Sequence, residues 1–211
     1  MLQSIQSIQG FQIGASDGEI GTLNAAYFDD AHWAIRYLVI DSGGWLTGRK
    51  VLISPRSILS IDWPNKILRT ALTRDQVARS PSIEDRAAGD PHLRSSEEGL
   101  SYSVAARDGD IGHVEDLLFD DETWAIRYLV INIGTWWTGR HVLVSPAWAE
   151  RIAWSEHMVY VSVTRAAIEA SPKYDSAHPP GREFEDALHR HYRKPTYWTT
   201  RDEPRTPLSA S

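Results

Sequence analysis

The chain contains itself twice. Asp17-Gly18-Glu19-Ile20-Gly21 returns as Asp108-Gly109-Asp110-Ile111-Gly112, Phe28-Asp29-Asp30 returns as Phe119-Asp120-Asp121, and residues 33–40 return unchanged as 124–131. Thr47-Gly48-Arg49, Ser54-Pro55, Ile61, Trp63, Thr73-Arg74 and Ser80-Pro81 recur at the same offset of 91. Of the 65 positions from Asp17 to Pro81, 30 are identical to their partners, without a gap. A match that long marks a duplicated folding unit, and the repeat limits what every local pattern can build.

The repeated unit reads as short strands. Asp17-Gly18 lies between Phe11-Gln12-Ile13 and Ile20, and Asp-Gly is a hairpin signal because a tight turn needs positive φ. Residues 23–28 lead into a second turn at Asp29 to His32. Residues 33–40 are β-branched and aromatic and, apart from Arg36, apolar on both faces, as a central strand is. Gly43-Gly44 opens a loop that ends at Gly48. Val51 to Ile53 is a strand stopped by Pro55, and residues 60–63 pair with 67–72 around Pro64-Asn65. Thr73 is placed to cap a short helix over 74–79. This predicts a mainly β fold: two tandem small antiparallel β-barrels with short terminal helices.

A unit of this size buries only about 60% of its unfolded surface, so two copies gain by packing together. Six of the nine tryptophans form repeat pairs: Trp33 and Trp124, Trp45 and Trp136, Trp63 and Trp154. They read as anchors of the core and of the face between copies. The predicted organisation is repeat 1 over 1–81, a linker over 82–99, repeat 2 over 100–172 and a tail over 173–211. The linker holds Glu84, Asp85, Asp90, Glu97 and Glu98 with Gly89 and Pro91, a solvated composition.

Composition narrows the function. With no cysteine in 211 residues, disulfides, thiolate metal sites and cysteine nucleophiles are excluded. The 22 basic residues against 28 acidic ones, net −6, argue against nucleic-acid binding, which needs basic surface to release counterions. No apolar run approaches the roughly 18 residues of a membrane span. Residues 1–13 lack the basic start and long apolar stretch of a secretory signal. A cytoplasmic location is the expectation.

Asp17-Gly18-Glu19-Ile20-Gly21, the acidic turn before residues 33–40, and Gly48-Arg49-Lys50 running into Ser54-Pro55 together resemble a PRC-barrel protein. The family is named for the cytoplasmic domain of the photosynthetic reaction-centre H subunit. The resemblance covers residues 8–81 and 100–172, and Glu183-Phe184-Glu185 through Tyr197-Trp198 is similar to the tail of stand-alone tandem members. It implies a small β-barrel used as a docking module, and it supplies no catalytic residue. The H subunit's transmembrane helix has no counterpart in this chain.

The residues themselves point to no reaction. Gly43 to Lys50 is a near miss to a phosphate loop, but Arg49 stands where lysine is required and a strand follows instead of a helix. Asp29-Asp30 and Asp120-Asp121 fall short of a calcium set and read as turn chemistry. His189 and His191, two apart on a helix, point away from each other and cannot share a metal. No cofactor is expected. Arg36 and Arg127 stand inside apolar strands and need partners; the expected pairing sets Arg127 opposite Asp116, and leaves Arg36 to an acid elsewhere, such as Asp17 or Asp29.

The function expected is therefore a non-enzymatic scaffold or adaptor for an unknown protein partner. In the tail, Phe184, Leu188 and Tyr192 fall at i, i+4 and i+8 and form one apolar stripe, followed by Trp198. That stripe either docks back on the chain's own barrels or grips a partner, including a second copy in a homodimer. The alternative function is an accessory protein that binds a small ligand or cofactor and serves electron transport, with a pocket between the copies lined by Trp45, Trp136 and Trp137.

Overall fold

A computed structural model describes residues 1–46, 48–82, 90–134 and 139–198. The first copy runs β1 (Leu2–Ser4), α1 (Ile5–Ile8), β2 (Gln12–Ala15), β3 (Gly18–Asp29), β4 (Ala34–Asp41), β5 (Lys50–Ile53), β6 (Ile58–Asp62), β7 (Ile67–Thr70) and α2 (Arg74–Ala78). The second runs β8 (Leu93–Ser95), β9 (Ser103–Ala106), β10 (Gly109–Asp120), β11 (Ile126–Asn132), β12 (His141–Val144), β13 (Ala149–Ala153), β14 (Met158–Val161) and α3 (Arg165–Glu169); α4 (Arg182–Tyr192) follows. Nearly every boundary repeats at the sequence offset. The fold is mainly β, in two seven-stranded sheets ordered β5-β4-β3-β2-β7-β6 and β12-β11-β10-β9-β14-β13, each with one added strand. Neighbours are antiparallel except β2 with β7 and β9 with β14, which are parallel and depart from the all-antiparallel expectation.

The added strands are exchanged between the copies. β1, from the first copy, pairs with β10 of the second in the register Leu2–Asp120, Gln3–Phe119 and Ser4–Leu118. β8, its equivalent, pairs with β3 of the first in the matching register Leu93–Asp29, Arg94–Phe28 and Ser95–Tyr27. The segment read as a linker thus contains a strand of the first sheet. The seam is reciprocal elsewhere too. Ile35 N–H donates to the carbonyl of Trp124 at 2.8 Å, and Ile126 N–H donates to that of Trp33 at 2.7 Å. Both tryptophans take positive φ, 52° and 58°, to make that turn. Buried residues of both copies form one continuous apolar cluster.

The repeated motifs have local structural tasks. Asp17 closes the first hairpin, and its carboxylate accepts from Arg74 N–H at 2.8 Å; Asp108 does the same for Arg165 at 2.7 Å. Each aspartate so satisfies an orphan donor at a helix start. Thr73 completes a capping box with Gln76. Arg49, at the end of the glycine loop, donates to the carbonyls of Ala78 at 3.3 Å and Ser80 at 3.0 Å, and Arg140 donates to that of Ser171 at 2.8 Å. The loop that resembles a phosphate binder therefore caps the end of the following helix.

Candidate functional site

Two related clefts open along the seam. One, about 440 Å³, has Trp33, Ile152 and Trp154 in its walls. Its counterpart, about 500 Å³, has Trp124, Ile61 and Trp63 in the equivalent places. Buried rings back the wall tryptophans. Phe28 stacks on Trp33 with centroids 5.2 Å apart and reaches Trp154 at 6.1 Å; Phe119 stacks on Trp124 at 5.2 Å. The rims differ. In the first cleft Asp30 accepts from His92 at 2.8 Å and from Arg94 at 3.0 Å, and the Arg94 guanidinium lies 4.8 Å from the Trp154 ring centre. In the second, Asp121 meets the terminal ammonium of Met1. The neighbouring acids Asp29 and Asp120 do turn chemistry. Burial opposes their ionisation, but backbone N–H donors and, for Asp29, His32 outweigh it and hold both carboxyls below the ordinary range.

The expected ion pair between Arg127 and Asp116 does not form. Phe28 and Phe119 pair with Ile35 and Ile126 instead of with the tryptophans, and a register shift makes Arg36 and Arg127 the extra residue of a bulge; together these set Asp116 opposite Val130. Arg36 is exposed and reaches Asp29 at 3.5 Å. Arg127 lies 4.1 Å from the Tyr197 ring centre, and its Nη2 approaches Thr123 at 3.4 Å. Asp116 is the anchor of α1: it accepts from the Ser4 hydroxyl, from Leu117 N–H at 2.7 Å and from Gln6 N–H at 3.3 Å. Burial nevertheless pushes its carboxyl above the ordinary range.

The tail stripe docks on its own chain. Leu188 and Tyr192 are buried in the common cluster and Phe184 packs against it. Trp148, which replaces Ser57 of the first copy, receives Tyr192 at 5.0 Å and His189 at 5.1 Å between centroids. Trp198 sits over His189 at 5.3 Å, with the Arg182 guanidinium 4.0 Å from its ring centre. The tail residues named for a partner are therefore engaged within the chain. Trp136 and Trp137 lie outside the described residues, as does the side chain of Trp45, so the tryptophan-lined ligand pocket falls there as well.

A polar chain that sequence reasoning missed lies under α4. His189 Nδ1 bonds the Pro195 carbonyl at 2.8 Å, so that nitrogen holds the proton and Nε2 faces the Tyr128 hydroxyl at 2.8 Å. Glu185, 3% exposed, accepts from Tyr197 at 2.7 Å and pairs with Arg182 at 3.3 Å. The clue in the sequence was Trp148 appearing opposite Ser57, since a large residue gained in one copy needs a cover. Burial is the leading influence on His189 and pushes its pKa below the ordinary 6.5. The stability gained by keeping the ring neutral is present above about pH 6.5 and is lost as pH falls toward the lower folded value. The melting temperature of wild type over His189→Gln is expected to shrink from about pH 8 to about pH 5; a constant gap would refute it.

Among the described residues no group of three or more His, Asp or Glu side chains is placed to hold a metal, and no helix is long and apolar enough to cross a membrane. Neither the family models searched nor the curated proteins searched match this chain.

Proposed function

We propose that the chain is a tandem β-barrel scaffold of the PRC-barrel kind, which brings protein partners together and performs no reaction of its own. The observation that carries this reading is the pair of seam clefts. They are equivalent in position and walled by repeat-paired tryptophans, Trp33 and Trp154 in one and Trp124 and Trp63 in the other, yet their rims differ: Arg94 and Arg151 in one, Leu59 and Glu122 in the other. A duplication that keeps the frame and diverges at the rims suits two different partners held at a fixed spacing. The continuous apolar cluster shared by both copies supports that spacing, because the copies cannot part without breaking both exchanged strands.

The test is chemical cross-linking in the native cell followed by mass spectrometry. Reproducible cross-links to other proteins are expected from residues around the two clefts. Cross-links confined to this chain, together with a bound small molecule in native mass spectrometry, would favour the ligand-binding alternative.

A further inference from the structure

We infer that the outer edge of β6 takes up an extended peptide from a partner protein as an added strand, with apolar side chains toward the Trp63–Trp124 cleft and a basic residue beside Glu122. Each sheet has two ends. At one end the following chain closes the edge: Val51 of β5 bridges Ser82, and His141 of β12 bridges Tyr174. At the other end β6 and β13 each have a strand partner on one side only among the described residues. An open edge invites pairing unless charge or twist protects it. β13 is protected. Glu150 and Arg151 stand on it, and Arg151 is held by Glu156 at 3.2 Å and lies 4.3 Å from the Tyr160 ring centre.

β6 shares the one-residue register shift of β13 but lacks its charges. At the same two positions it has Leu59 and Ser60. Leu59 falls in the register shift between Ile58 and Ser60, and it is 72% exposed. Leu59 and Met1, at 71%, are the two large apolar side chains exposed among the described residues, and both line the same cleft.

Area and charge select the occupant. A stable dimer buries about 800 Å² on each partner, more than a short strand with two exposed apolar side chains offers. Strand addition instead draws affinity from main-chain hydrogen bonds and needs only pockets for alternate side chains. Glu122 is exposed on the rim and forms no close ion pair among the described residues; the Met1 ammonium, which also attracts it, is tied to Asp121. Arg69, opposite Ser60, is offset by Asp62. The net charge of −6 also disfavours a second copy and favours a basic segment.

The inference rests on the scaffold reading and gives it one site. A display library of random peptides about ten residues long, selected on the full chain, tests it. Enriched peptides are synthesised and their binding measured by fluorescence anisotropy, against wild type and against the double variant Leu59→Glu/Ser60→Arg. β13 has those residues at the same positions, and a thermal melt checks that the variant folds. Enriched sequences should alternate apolar residues beside Lys or Arg, and the double variant should lose about tenfold or more in affinity. Glu122→Gln should weaken binding and flatten its salt dependence. Peptides that bind both forms equally would overturn the β6 assignment and leave the scaffold reading standing. No enrichment at all would overturn strand addition, while the cross-linking result judges the scaffold separately. A dimer that the double variant abolishes would overturn it in favour of a second copy.

Discussion

Gly112→Ala is expected to cost the protein about 4 kcal/mol or more, a loss seen for few point substitutions. A Cβ at Gly112 would collide with the carbonyl oxygen of Asn132; the carbonyl carbon would lie at 2.9 Å and the Ile133 Cα at 3.1 Å. All three atoms belong to backbone, so no side-chain rotation relieves the clash. Relief requires β10 and β11 to separate, and their ladder is the spine of the second sheet. Gly21 meets Asp41 and Ser42 in the same way and has a φ of 135° besides, which an alanine rarely adopts. Gly99→Ala is the control, since nothing lies within 4 Å of its added Cβ. Urea unfolding followed by far-ultraviolet dichroism would compare them. A Gly112→Ala midpoint equal to that of Gly99→Ala would refute the close approach.

Phe28→Ala and Phe119→Ala should each cost about 3–5 kcal/mol, the range for emptying a buried aromatic site. Both rings are fully buried. Each sits under an exchanged strand, Phe28 opposite Arg94 and Phe119 opposite Gln3, and each stacks on the tryptophan of its own hairpin. Each cavity therefore opens at the seam, where both copies meet. Either substitution is expected to shift one cooperative transition, with tryptophan fluorescence and far-ultraviolet dichroism moving together. Two transitions, one left at the wild-type midpoint, would mean that the copies fold independently.

Much of each copy was legible because its signals are local. Asp17-Gly18 gave the hairpin, Thr73 gave the capped helix, and the apolar run ending at Ile40 gave a strand that lies between β3 and β5. The bulges at Arg36 and Arg127 were not legible, since a one-residue insertion changes which residues face each other without changing the pattern along the strand. The exchange was hidden for a different reason. β1 and β8 are three residues long and share only Leu2 with Leu93 and Ser4 with Ser95. Both copies also present the same Phe-Asp-Asp edge, so the sequence holds no preference for one acceptor over the other. Extending the repeat upstream would have revealed the two strands but not which copy each one joins. The polar chain at Glu185 and His189 depends on how the tail folds back, which spacing within one helix cannot report.

Proton-proton contacts across the exchanged ladders, measured by nuclear magnetic resonance on the full chain, test the duplicated and interlocked fold most directly. Contacts of residues 2–4 with 118–120 and of residues 93–95 with 27–29 are expected. Contacts of residues 2–4 with 27–29 would show each copy keeping its own strand, and would contradict the interlocked core on which the fixed spacing of the two clefts depends.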